Sequence, residues 1–219
     1  MLKITNIEQQ KRNRSRFSIY LDGSFAFGVA EDVIMRHREK LKIGSQIDAK
    51  FIDEVLNAEE MQKTFDSAVT LLSYRLRSEK ELINRLRQKG FEENRIAKTI
   101  AKLKSYGYIN DESFARSLAK DKQNIKKLGF RGVKYELKQK GVNQDIIQEI
   151  ENDLYDEERE LEQAIFLCEK KLRVLGENLE SPKIKQKMLQ FLIRKGYSFE
   201  IAKAAISSAL KGSSRANKD

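Results

Sequence analysis

The sequence contains no tryptophan, one proline, one cysteine and one histidine among 219 residues. Each scarcity removes a class of chemistry. A single Cys168 excludes an intramolecular disulfide, and one Cys with one His cannot furnish a zinc cage. A serine or cysteine nucleophile would need His37 as its base, and Arg36-His37-Arg38 reads as an exposed charged run. Cys168 ends the run Ala164-Ile165-Phe166-Leu167, the buried face of a helix, where a thiol packs as a small apolar group. No G-x-x-x-x-G-K-[ST] motif is present, so a phosphate-cradling loop is not supported. No segment reaches the roughly 18 to 20 apolar residues of a membrane span, and the first residues lack a signal-peptide core. Adjacent acids such as Glu92-Glu93 and Glu157-Glu158 read as helix N-terminal charges. The expectation is a cytoplasmic, monomeric binding protein with no catalytic, cofactor or metal residues.

Charge is abundant. Charged residues make up 35% of the chain and the net charge is +10. The excess is local: residues 61–110 carry 11 basic and 5 acidic side chains and residues 111–150 carry 9 and 6, whereas residues 1–60 and 151–219 are nearly balanced. Such a field points to a polyanion or an acidic protein surface, or else to a solvated face that aids solubility.

The stretch Arg77 to Phe91 is a complete helix with start and stop signals. Ser78 and Glu81 form a reciprocal capping box, Leu82, Ile83 and Leu86 an apolar stripe, and Gly90-Phe91 a Schellman ending. The ending recurs at Lys140-Gly141-Val142 and Lys195-Gly196-Tyr197, each Gly preceded by a Leu at four residues and an apolar residue at eight (Leu82, Val133, Met188). A second helix follows each Gly, starting near Glu92, Asn143 and Ser198; Asn143 and Ser198 are good caps and Glu92 a poor one. Separations of 51 and 55 residues between these glycines indicate a degenerate tandem repeat of short helices.

The N-terminal residues follow a different pattern. Lys3–Glu8 and Arg16–Tyr20 are β-rich, and Phe17, Ile19 and Leu21 alternate before Asp22-Gly23 and Phe25, Phe27 and Val29. A two-residue Asp-Gly turn suits the local chemistry. A three-residue loop instead pairs Leu21 with Phe25, Ile19 with Phe27 and Phe17 with Val29 on one buried face, and is the loop expected. Lys11 to Arg16 forms a basic loop, either an ordinary turn or a phosphate contact. Asp48 caps the next helix with an Ile47/Ile52 staple, a further helix starts near Thr64, and Asp111 caps the first helix of the second repeat. Ser181-Pro182 starts a helix in the third. The fold expected is mainly α: a small β-hairpin/α extension over 1–62, three-helix repeats over 63–108, 109–155 and 156–211 in an elongated curved array, and a disordered tail over 212–219.

Arg77-Ser78-Glu79 with Glu81-Leu82, Leu86, Lys89-Gly90-Phe91, then Gly107-Tyr108-Ile109-Asn110-Asp111 and Phe114-Ala115, resemble the signature of the RecX family, bacterial regulators of the RecA recombinase. The resemblance covers about Ala68 to Leu210. It departs from the family pattern at Asn110, where two acids are usual. It implies a nonenzymatic protein that lies along the RecA nucleoprotein filament, inhibits ATP hydrolysis and strand exchange, and so modulates recombinational repair and the SOS response. Tandem modules suit such a polymer, because several weak contacts add. The candidate contacts to recombinase or DNA phosphates are Arg75, Arg77, Lys80, Arg85, Arg87 and Lys89 in the first repeat, and Lys126, Lys127, Arg131, Lys134 and Lys138 in the second. Single- or double-stranded DNA is expected as a weaker, salt-sensitive partner. The alternative is a direct DNA-binding protein of helix-turn-helix type.

Overall fold

The structure, a computed structural model, describes residues 1–175 and 182–216. The expected Ser181 cap, residues 176–180 and the last three residues of the expected tail lie outside them. Among the described residues the fold is mainly helical, with ten helices and four strands. Two compact units form: Met1–Leu76 with Leu82–Ile109, and Arg77–Glu81 with the chain from Asn110 onward.

The first unit opens with β1 (Leu2–Gln10), β2 (Asn13–Leu21), β3 (Ser24–Ala30), α1 (Glu31–Arg36) and β4 (Gln46–Ile47), forming one antiparallel sheet in the order β3-β2-β1-β4. The sequence reading missed α1 and β4 because both are short. At the β2–β3 hairpin the preferred three-residue loop does not form; the two-residue Asp22-Gly23 turn that the local chemistry favours takes its place. Leu21 pairs with Ser24 across a two-residue turn in which Asp22 and Gly23 have φ of 47° and 87°, and a bulge after Ile19 then restores the Ile19/Phe27 and Phe17/Val29 pairs. The expected Leu21/Phe25 pair is not made; Phe25 pairs with Tyr20 and is 60% exposed. The basic loop is also shorter than expected, since β2 begins at Asn13 and leaves only Lys11 and Arg12 in the turn. Ile4, Ile19, Val29 and Val33 fill the core beneath the sheet with Phe51 and Val55.

Those last two residues belong to α2 (Ala49–Tyr74), a single 26-residue helix where two were expected. Asp48 caps it as foreseen, accepting from Phe51 N at 2.8 Å. Nothing between Ala49 and Tyr74 breaks a helix, as no Gly or Pro occurs there. The two expected segments are therefore the two ends of one rod: Phe51 and Val55 pack on the sheet, and Ala68 joins the core of the first repeat. Midway lies Glu59, 2% exposed, which accepts from Arg16 Nη2 at 2.6 Å and from Ala30 N at 2.7 Å. Both oxygens of the buried carboxylate are thus answered, as burial of a charge requires. His37, expected to be exposed, is half-buried, its ring edge-on to Phe51 at 5.8 Å with Nδ1 3.7 Å from Glu54 Oε1.

The first repeat is completed by α3 (Glu79–Gln88) and α4 (Glu93–Ser105), with Leu82, Leu86, Ile96, Ile100 and Leu103 in its core. The second unit holds α5 (Asp111–Asn124), α6 (Phe130–Gln139) and α7 (Gln144–Leu154), then α8 (Glu157–Leu175), α9 (Pro182–Arg194) and α10 (Phe199–Ala216). Helical backbone therefore continues past residue 212, where a tail was expected. Val133, Leu137, Ile147 and Ile150 centre one core; Cys168, Met188, Leu192 and Tyr197 centre the other. The cap at residue 110/111 is shifted by one. Asn110, in extended conformation, accepts from Ser113 N at 2.9 Å, which frees the Asp111 carboxylate for another partner.

All three predicted Schellman endings form, with Phe91, Val142 and Tyr197 amides donating to Leu86, Leu137 and Leu192 carbonyls at 3.3, 3.2 and 3.1 Å. A fourth closes α4, where Tyr108 N donates to Leu103 O at 2.9 Å across Gly107.

Within the second unit these endings are docking points. Ser78 Oγ donates to Lys140 O at 2.7 Å, while the next amide, Glu79 N, donates to Asp111 Oδ1 at 2.8 Å. One repeat later the same arrangement returns: Gly129 N donates to Lys195 O at 3.0 Å and Phe130 N to Glu160 Oε1 at 2.7 Å. Ser78 and Gly129 both stand twelve residues before their C′ glycines. At the second joint, Gly132 N also donates to Gly196 O at 3.3 Å, and a Cβ on Gly196 would run into the backbone N and Cα of Gly132. By contrast, a Cβ on Gly90 would meet open space.

Two measurements test this construction. Gly90→Ala should cost about 1 to 2 kcal/mol, the strain of a side chain at φ +86°. Gly196→Ala adds a backbone collision and should cost more than about 3 kcal/mol in chemical denaturation; equal costs would refute the close joint. Second, Cys168 is fully buried and its thiol is pushed up to about 11 by burial. At mildly alkaline pH its reaction with a disulfide reagent should be at least about 100-fold slower in the native than in the unfolded protein.

Candidate functional site

The predicted contacts are helix-surface cations, placed outward because the i, i+4 stripes of α3 and α6 take the apolar residues inward. In the first unit, Arg85, Arg87 and Lys89 are exposed along and just after α3, and Arg75 is exposed after α2. Their charges are not equally available. Arg87 holds Glu93 through two hydrogen bonds, one of them Nη2 to Oε2 at 2.7 Å, which raises the guanidinium pKa and lowers that of the carboxyl. Arg85 donates to Gln88 at 2.9 Å and Arg75 to the Leu76 carbonyl at 2.8 Å. Lys89 is an exposed charge beside the Gly90 turn.

In the second unit, Arg77 is half-buried and Lys80 lies with its side chain against Gly141. Lys126 and Lys127 precede α6. Their carbonyls accept from Lys195 Nζ at 2.7 Å and Tyr197 Oη at 3.1 Å, so this stretch is tied by its backbone while the Lys126 side chain stays exposed. Along α6, Arg131 and Lys138 are exposed, whereas Lys134 is half-buried and paired with Glu151 at 2.6 Å. Burial raises the Glu160 pKa against the bond from Phe130 N, Tyr155 and the charge of Arg131, whereas the Glu200 carboxyl is lowered chiefly by its own backbone amide and by Ser198, with Arg131 adding the least. Lys134, like Arg87, therefore serves its own fold first, and the open charges of the set include Lys89, Lys126, Arg131 and Lys138.

Sequence reasoning overlooked a second surface, within the first unit. An open groove of about 530 Å³ is lined by Phe65, Tyr106 and Tyr108 together with Lys102, Arg36 and Asp32. Tyr106 and Tyr108 flank the left-handed Gly107 turn, and each is 57% exposed. Their rings meet edge-to-face at 6.0 Å, and Tyr106 meets Phe65 likewise at 6.5 Å. Lys102 Nζ stands 4.6 Å from the Phe65 centroid and 5.7 Å from that of Tyr106. The spacing Lys-x₃-Tyr-Gly-Tyr at the end of a helix was the available signal. Among the described residues, no group of three or more His, Cys, Asp or Glu could hold a metal ion, and no helix is long and apolar enough to cross a membrane.

Four family profiles match along the chain in order. They are the regulatory protein RecX N-terminal domain at residues 2–48, and the first, second and third three-helix domains of RecX at 65–103, 110–150 and 157–206. The chain is similar to the regulatory protein RecX of Clostridium botulinum (strain Eklund 17B / Type B), 34% identical over 96% of this chain and 97% of the relative. It is also similar to that of Bacillus pumilus (strain SAFR-032), 36% identical over 95% and 78%. Among solved structures, a crystal structure of regulatory protein RecX superposes with a TM-score of 0.75 at 29% identity, covering 92% of this chain and 97% of the other. RecX from Lactobacillus salivarius gives a TM-score of 0.61 at 28% identity, over 69% and 97%. With its N-terminal domain and all three of its three-helix domains matched in order, the chain belongs to the RecX family of regulatory proteins.

Proposed function

We propose that this protein is a monomeric, cytoplasmic, nonenzymatic regulator that binds the RecA recombinase filament and inhibits its ATP hydrolysis and strand exchange, modulating recombinational repair and the SOS response. One observation carries the reading: the RecX domains are matched in order along the chain, and the first two three-helix domains bear the surplus positive charge. A nucleoprotein filament is a repeating polyanion, and separate modules on one chain gain avidity on a repeating target without any single strong contact. Lys89, Lys126, Arg131 and Lys138 supply the contacts in this reading, with DNA phosphates as a weaker, salt-sensitive share. Arg87 and Lys134 contribute less, because Glu93 and Glu151 already neutralise them.

The measurement is single-stranded-DNA-dependent ATP hydrolysis by the recombinase, titrated with this protein. Lys89→Glu, Lys126→Glu and Lys138→Glu combined should raise the concentration for half-inhibition about tenfold or more. Helicity should be unchanged, and each exposed site should alter stability by no more than about 0.5 kcal/mol. Lys203→Glu with Lys211→Glu, both exposed on α10 and outside the two basic repeats, should inhibit like the parent. Wild-type inhibition should weaken as salt shortens the screening length to about 8 to 10 Å. Equal inhibition by all variants would remove the basic faces from the mechanism. Tight binding to bare DNA with no effect on hydrolysis would replace the proposal with a helix-turn-helix DNA binder.

A further inference from the structure

The groove in the first unit is a different kind of surface from the basic helix faces. Its exposed tyrosines could be dismissed singly, since isolated apolar groups on a surface are ordinary. Here, however, two half-exposed phenol rings sit side by side, backed by Phe65 and held apart by the Gly107 turn. The turn itself is fixed by the Tyr108 N to Leu103 O hydrogen bond, and Leu103 is fully buried, so the two rings project from a rigid base. Cations border them. Lys102 lies over Phe65 and Tyr106, and Arg36 is anchored by hydrogen bonds to Gln62 and to the Asp32 carbonyl. The lining holds two cations against the single carboxylate of Asp32, within a stretch where residues 61–110 carry 11 basic and 5 acidic side chains.

Aromatic faces interleaved with cations suit a ligand that is flat and apolar in one part and anionic in the next. Unpaired nucleotides have that alternation, with bases to stack on rings and phosphates to meet Lys and Arg. A duplex lacks it, because its bases are stacked on one another and offer no free face. We infer that the groove formed by Tyr106, Tyr108 and Lys102 binds single-stranded nucleic acid by base stacking. This goes beyond the recombinase reading and does not depend on it, since the site is tested with no recombinase present.

The test is fluorescence anisotropy with labelled oligothymidylate, oligouridylate and a hairpin duplex of matched charge, over a series of salt concentrations. Tyr106→Ala with Tyr108→Ala should weaken binding of both single strands about tenfold or more, leaving the salt slope and the duplex affinity unchanged. Tyr106→Phe with Tyr108→Phe keeps the ring faces and should bind like the parent, which separates stacking from phenol hydrogen bonding and from damage to the fold. Lys102→Gln should lower the salt slope by about one for the single strands. Three results would overturn the inference: single-strand affinity unchanged in the double Ala variant, an equal loss for the duplex, or a loss as large in the Phe variant as in the Ala variant. Failure here with intact inhibition of ATP hydrolysis would leave the recombinase reading standing; the converse would leave the groove standing without it.

Discussion

The first amides of a helix have no partner inside it, and in this chain the middle helices find theirs elsewhere. Glu79 N at the start of α3 is accepted by Asp111, and Phe130 N at the start of α6 by Glu160. In each case the residue before it also reaches a carbonyl of a Schellman turn, Lys140 or Lys195. Two needs are met together, since helix N-termini lack acceptors and helix C-termini lack donors. The acid adds a favourable charge at the positive end of the helix dipole. Burial works against the second of these acids, raising the Glu160 pKa despite the bond from Phe130 and the nearby Arg131. A small residue is needed wherever backbone meets backbone, which accounts for Gly129 and Gly132 beside Gly196.

Much of this fold was written in local patterns. The stripes at Leu82/Leu86, Val133/Leu137 and Met188/Leu192 and the glycine endings were readable because helix periodicity and C-capping involve residues a few positions apart. The caps at Asp48, Asn143 and Ser198 were readable for the same reason. Errors arose where a distant partner decided the outcome. Asp111 has the chemistry of a cap but is taken by Glu79, 32 residues away, and Asn110 takes its place. Arg16 looks like part of a basic loop, yet Glu59 recruits it from 43 residues along the chain.

The candidate contacts were less legible than the fold. Composition located the basic surplus, but only the geometry separates cations held by carboxylates, such as Arg87 and Lys134, from those left open, such as Lys89 and Lys138. An exposed pair is worth little to stability, so its main effect here is to lower the charge offered to an outside partner. The aromatic groove was invisible to a search for charge, because Phe65 comes from α2 and its tyrosine neighbours from the end of α4.

The unbroken α2 has a consequence for how the N-terminal portion comes apart. Its N-terminal half supplies Phe51 and Val55 to the sheet, and its C-terminal half supplies Ala68 to the first repeat, with the Glu59 clasp to Arg16 and Ala30 between them. Fraying at one end removes support from the other through a continuous ladder of backbone bonds. The β-layer and the first repeat are therefore a single cooperative foldon, and a cut in the middle of α2 would strand apolar residues on both fragments.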